Sequence, residues 1–140
     1  MADANIFVAA FLKDSTVRRI ITLPGLQLLV PEYLFEEIDR HLPHLRRKAG
    51  LGKREADELA KHLGKYFIVL NRETFSEKLG EAARIMRAID PRDAVYVAMA
   101  LSISCDGIWS DDPHLKRQNR VRCFTTKELL VELKAAGLSL

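Results

Sequence analysis

Between Asp90 and Pro113 the chain reads DPRDAVYVAMALSISCDGIWSDDP, and this stretch restricts the possible folds more than any other. An acidic turn (Asp90, Pro91, Arg92, Asp93) opens a run of eleven residues, Ala94 to Ser104, whose only polar members are Ser102 and Ser104. A break at Cys105, Asp106 and Gly107 follows, and Ile108-Trp109 then runs into Ser110, Asp111, Asp112 and Pro113. The pattern predicts a helix, a turn, a strand and the start of another helix. An apolar helix feeding an apolar strand means that both are buried. The acids at the start of that helix and the end of that strand therefore stand beside the core, where an unpaired carboxylate carries a heavy desolvation cost.

The rest of the chain alternates in the same way. Asn5 to Leu12 is apolar, and Asp3 ahead of it is a suitable N-cap, so a helix is expected from Ala4. Asp14 or Ser15 caps a second short helix through Val17, Ile20 and Ile21. Pro24-Gly25 is a turn, and Leu26 to Val30 is a buried strand ended by Pro31, which suits the first turn of a helix. On that helix Leu34, Ile38, Leu42 and Leu45 share one face. Glu37 falls at the edge of the face, with His41 one turn on, whereas Glu36 points to solvent. Pro43 is expected to break this helix in two. Lys53 to Leu63 is a further helix, with Ala56, Leu59, Ala60 and Leu63 inward and Gly64 as its stop. Tyr66 to Leu70 is a strand. Thr74 and Glu77 form a capping box ahead of Phe75, Leu79, Ala82 and Met86. Val121 to Phe124 is the last strand, and Thr125 with Glu128 caps a helix that stops at Gly137. Strands alternating with helices, without repeats or a linker, predict one α/β domain over residues 1–140 with a mainly parallel sheet. Such sheets place ligands outside the carboxyl ends of their strands.

Composition narrows the function classes. With 48% hydrophobic and 29% charged residues the chain is of ordinary globular type. It has no apolar run of membrane-spanning length and no signal-peptide pattern, so a cytoplasmic protein without a membrane partner is expected. Cys105 and Cys123 lie in apolar surroundings and read as buried thiols. A net charge of +3 permits a polyanionic partner without demanding one.

Taken singly, the acids have structural explanations. Asp3 can be an N-cap. Asp90 can cap a helix with Pro91 at its first position, leaving Asp93 as a capping-box acid, and Asp112 can do the same ahead of Pro113. Their joint placement argues for more. Asp3, Glu37 and Asp112 fall on the same rim of a parallel sheet, and Asp93 reaches it from its helix start. Carboxylates converging in this way repel one another, and a hard divalent cation such as Mg²⁺ or Mn²⁺ relieves the repulsion.

Asp3-Ala4-Asn5 before an apolar helix, Glu37-Ile38, Asp93-Ala94 opening an apolar run, and Trp109-Ser110-Asp111-Asp112 occur in an order and spacing that resemble the PIN-domain family, including the VapC-type toxins of bacteria and archaea. The resemblance covers essentially the whole chain. It implies a three-layer α/β/α sandwich around a four- or five-stranded, mainly parallel sheet. The implied activity is a metal-dependent endoribonuclease, with Asp3, Glu37, Asp93 and Asp112 as both catalytic residues and ligands of one or two Mg²⁺ or Mn²⁺ ions. Asn5 matches the polar residue after the first aspartate, and Ser110 the small hydroxyl residue that shapes the site. Asp111 is then the variable position, and the substitute for Asp112 if the register shifts by one. The family's first strand runs for several residues before its first aspartate. Here Met1 and Ala2 precede it, so either the strand is cut to a stub or the chain begins a few residues late.

Asp90 is an additional acid, which either caps the helix or holds an outer-shell water on the metal. Arg92, Lys116 and Arg117 flank the acidic rim as candidate phosphate contacts, and His114 is a further candidate. His41 is a candidate for orienting Glu37, while Trp109 and Tyr96 read as core. The resemblance further implies an RNA substrate, a homodimer and a small antitoxin protein as partners, with the low-polarity surface of the first two helices as a place for an interface. A catalytically silent RNA- or protein-binding module of the same fold is the alternative. An aspartyl-phosphate receiver or phosphatase fits less well, since Asp3-Ala4-Asn5 is not Asp-x-Asp.

Overall fold

In the computed structural model, which describes residues 1–12 and 15–140, Met1 to Asp3 lie between two pairs of parallel strands. On one side β1 (Leu28–Pro31) pairs with β2 (Phe67–Leu70), Leu28 opposite Phe67 and Pro31 opposite Leu70. On the other, β3 (Ile108–Trp109) pairs with β4 (Cys123–Phe124). The Ala2 amide donates to the Leu29 carbonyl at 3.0 Å, and the Trp109 amide donates to the Met1 carbonyl at 2.7 Å. The result is an α/β fold with parallel strands. The described residues form two two-stranded sheets, not one sheet of four or five strands. Between the two pairs, Ala2 makes an isolated parallel bridge to Trp109 and one hydrogen bond to Leu29.

Helices cover both faces. Leu28 and Val30 of β1 enter one apolar cluster with α1 (Ala4–Phe11), α2 (Ser15–Ile21), α3 (Tyr33–Ala49) and α4 (Lys53–Gly64). Leu29 between them faces a second cluster with α5 (Arg72–Phe75), α6 (Leu79–Met86) and α7 (Ala94–Ser102). Trp109 and Ile108 divide between the clusters in the same way, as the alternation of strand side chains requires. The last helix, α8 (Thr126–Ala135), packs Leu129, Leu130 and Leu133 against the first cluster. Its capping box is formed as expected from Thr125 and Glu128. Trp109 and Tyr96 are both core residues, as expected.

Several expectations are corrected. Pro31 ends β1 instead of opening α3, which begins at Tyr33. The strands start later than the apolar runs do, at Leu28, Phe67 and Cys123. Pro43 does not break α3. Pro43 and Asp39, whose carbonyl loses its helical donor, are both exposed, so water can replace the missing bond. Thr74 is not a cap: Asn71 caps α5, its Oδ1 accepting from the Thr74 amide at 3.2 Å and the Thr74 hydroxyl at 2.8 Å. Asparagine ranks at least equal to threonine as an N-cap, and here it stands directly after a strand. In the first two helices Ile6, Phe7, Phe11, Val17, Ile20 and Ile21 are buried in this chain's own core, while Ala4, Val8 and Ala9 of the first are partly exposed. The suggested cap at Asp14 lies outside the described residues, as does the Ser15 side chain.

The β3–β4 pair depends on Gly107, which has φ +143°. A Cβ there would lie 2.4 Å from the Arg122 carbonyl oxygen and 2.8 Å from the Phe124 ring. Gly107→Ala is therefore expected to cost about 2–4 kcal/mol through backbone strain and forced separation of the strands. A urea titration checks this, and an unchanged midpoint would show that the pair moves apart freely.

Candidate metal centre

Asp3 leaves the Ala2 bridge and Ser110 to Asp112 leave β3, so both acids project from the carboxyl ends of neighbouring parallel segments. The third aspartate arrives on a different element. The turn from Asp90, with a short 3₁₀ segment at Pro91–Asp93, sets Asp93 at the start of α7.

Asp3 is only 3% exposed. Its Oδ1 accepts from the Ile6 amide at 3.2 Å, so it is the N-cap that the sequence suggested. Its Oδ2 accepts from the Ser110 hydroxyl, whose oxygen in turn accepts the Asp112 amide at 3.0 Å. Ser110 is thus the joint between two of the acids. Burial pushes the Asp3 carboxyl up to about 6; the bonds from Ser110 and Ile6 oppose this, and Asp93 and Asp112 add to it. Asp93 is also pushed up to about 6, by burial first and then by the charges of Asp90 and Asp112. Its Oδ2 is buried and accepts no hydrogen bond, and its side chain caps nothing.

Asp112 and Asp90 are tied more firmly. Asp112 Oδ1 accepts the His114 amide at 2.9 Å and lies 3.1 Å from His114 Nδ1. His114 Nδ1 is 3.7 Å from Asp90 Oδ2, and ligand atoms of Asp90, Asp112 and His114 all lie within 4.8 Å of one another. Asp90 does cap its turn, accepting from the Arg92 amide, and its carboxyl is held below its usual range by the Arg92 side chain first and that amide second. Asp111 points elsewhere: both its oxygens accept from Thr126, at 2.7 Å from the amide and 2.6 Å from the hydroxyl.

Other expected residues stand apart. Glu37 is half-buried and Glu36 exposed, but the Glu37 carboxylate faces Arg40 at 3.9 Å, and His41 is exposed. The Tyr33 hydroxyl feels the charge of Glu37 and of the aspartates together. Burial pushes it up to about 12; Tyr96 opposes this through a hydrogen bond, and the charges of Glu37, Asp93 and Asp3 reinforce it. Asn5 is exposed on the first turn of α1. Lys116 pairs with both oxygens of Glu128 at 2.5 Å, and Arg117 is exposed beside it. Of the groups gathered here, His114 is only a further candidate in the sequence, and Tyr33 is not singled out by it. The available signals were the two-residue spacing from Asp112 across Pro113, which lets the turn fold back, and the one-turn spacing of Tyr33 from Glu37.

The donor set is hard oxygen with one imidazole, which suits Mg²⁺ or Mn²⁺. The buried Asp93 Oδ2 supplies the test of fit: a buried oxygen without a donor is costly, and a cation satisfies it while offsetting the repulsion among its neighbours. A cleft of about 780 Å³ lies elsewhere, lined by Phe7, Phe35, Leu42 and Ala60 among others. Among the described residues, no helix is long and apolar enough to cross a membrane, and Cys105 and Cys123 are free and partly buried.

A family model described as PIN domain matches residues 1–134. No curated protein and no solved structure matches the chain.

Proposed function

The chain belongs to the PIN-domain family, whose members are usually metal-dependent nucleases, and on that premise we propose that it is an Mg²⁺- or Mn²⁺-dependent endoribonuclease, the toxin of a toxin–antitoxin pair. The observation that carries this reading is the buried, partnerless Asp93 Oδ2 beside Asp3 and Asp112, at the carboxyl ends of parallel strands. Asp3, Asp93 and Asp112 would hold one or two ions, with Glu37 completing the set by exchanging Arg40 for the centre. A bound divalent ion supplies Lewis acidity toward the phosphate and makes a bound water easier to deprotonate. The chain itself supplies position. The Ser110 hydroxyl and the Ile6 amide fix the two oxygens of Asp3, and the His114 amide fixes Asp112. Asp93, whose Oδ2 is buried without a donor, is free to take a cation directly. The expected products carry 5′-phosphates. A cytoplasmic homodimer and a small antitoxin partner belong to the same reading.

The alternative is a catalytically silent RNA- or protein-binding module. The pairing of Glu37 with Arg40 favours it, since that acid is engaged away from the aspartates. One experiment separates the two: incubation of a mixed single-stranded RNA pool with the purified protein in Mn²⁺, Mg²⁺ and EDTA. Cutting is expected in the metal lanes and not in EDTA. A folded protein that cuts in no lane sinks the nuclease reading and leaves the binding module.

A further inference from the structure

We propose that Asp90 is a positioning residue that presets Arg92 as a clamp for a backbone phosphate of the RNA beside the carboxylate centre. The proposal rests on the nuclease reading in taking RNA as the ligand. Its structural basis is separate. The Asp90 side chain is only 10% exposed, yet the Arg92 side chain that it holds is 88% exposed. The grip has three points, each at 3.1 Å: the Arg92 amide and Nε on Oδ1, and Nη2 on Oδ2. Both the root and the head of one side chain are therefore fixed by one buried carboxylate. Pro91 fixes the backbone between them, and the Asp93 amide closes the turn on the Asp90 carbonyl at 3.1 Å.

A guanidinium carries five N–H donors in a rigid fork. Asp90 takes two, and three remain for solvent or a ligand. The charges of Asp93 and Asp112 act on Arg92, although Asp90 is its main partner, so the guanidinium stands at the edge of the acidic rim. An untethered surface arginine loses much side-chain freedom when it captures a phosphate. One already held in orientation loses less and meets the phosphate with paired donors. Asp90 also lies near Asp112 and His114, so the rival role is a direct ligand of the cation. The two roles make opposite predictions for Arg92.

The test uses wild type, Arg92→Gln, Arg92→Lys, Asp90→Asn and the double variant Asp90→Asn/Arg92→Gln. Initial cleavage rates of a labelled single-stranded RNA are measured in Mn²⁺, binding of the same RNA in EDTA by anisotropy, and the rise in Tm on adding Mn²⁺ for each protein. Each single variant is expected to raise KM and Kd about tenfold, with kcat within about twofold, as loss of one charge-assisted contact would. The double variant should be no weaker than the singles, and the Mn²⁺-induced rise in Tm should be unchanged. Arg92→Lys keeps the charge but not the fork, and should behave like Arg92→Gln; this arm carries the test if Asp90→Asn does not fold. Unchanged KM and Kd in Arg92→Gln would overturn the proposal. So would losses that multiply in the double variant, or a lost Mn²⁺ response in Asp90→Asn, which would make Asp90 a ligand. A wild type that binds RNA through Arg92 without cutting it sinks the nuclease reading alone, whereas one that neither cuts nor binds overturns both.

Discussion

Asp93→Asn is expected to lower metal-dependent RNA cleavage by about a thousandfold or more while leaving the metal-free fold intact. The expected stability follows from what Asp93 lacks. Its Oδ2 accepts no hydrogen bond and its side chain makes no cap on α7, so the substitution removes no bond from that oxygen. It does remove a carboxylate that burial and the charges of Asp90 and Asp112 disfavour in its ionised form. In EDTA at neutral pH the variant should melt no lower than wild type. The same substitution at Asp3 would be a poorer test, because Asp3 accepts from Ile6 and Ser110 and caps α1. Loss of both activity and fold in Asp93→Asn would return this residue to the structural role that its place at a helix start allows. Cleavage rates set beside thermal melts in EDTA decide between the two.

Most of this centre was legible in the sequence because its acids border apolar elements. Asp3 and Asp93 stand one residue ahead of a buried helix and Asp112 three residues beyond a buried strand, and the polarity pattern alone puts them beside the core. The choice of Asp112 over Asp111 comes from the family spacing; in the structure the Asp112 amide donates to Ser110, and Asp111 accepts from Thr126. Side-chain pairing was not legible. Glu37 sits at the edge of its helical face as the wheel requires, but its preference for Arg40, three residues on, is a rotamer choice between neighbours. Burial patterns are likewise blind to Pro43, because the penalty for a helical proline depends on whether its orphaned carbonyl reaches water. The extent of the sheet was not legible for a related reason. Apolar alternation marks which segments are buried, but how far their ladders extend depends on long-range register, and here one bridge through Ala2 joins the two pairs.

Metal-free protein is expected to lose stability as the pH rises from about 4.5 to about 6, a reversal of the usual behaviour of paired acids. Asp3 and Asp93 both have folded-state values of about 6 against 3.8 for the free side chain. Within that window the folded state binds more protons than the unfolded state, so raising the pH favours unfolding. For Asp3, almost wholly buried, the contribution is about 3 kcal/mol, present below its unfolded value and lost as the pH passes about 6. Asp93 is only half-buried and adds less. Glu128 works in the opposite sense, held down to about 2 chiefly by Lys116, but its stabilising effect is lost only as the pH falls below 4.5. A divalent cation binds the ionised carboxylates, so Mn²⁺ should raise the stability strongly near pH 7.5 and little near pH 5, competing with the same protons. Urea midpoints across this range, in EDTA and in Mn²⁺, test both parts. A metal-free profile that climbs between pH 4.5 and 6 would mean that Asp3 and Asp93 are stabilised as anions by the protein alone. That would remove the physical reason for a cation at this rim. A falling profile that Mn²⁺ flattens would show that burying these acids destabilises the empty fold by an amount that the ion restores.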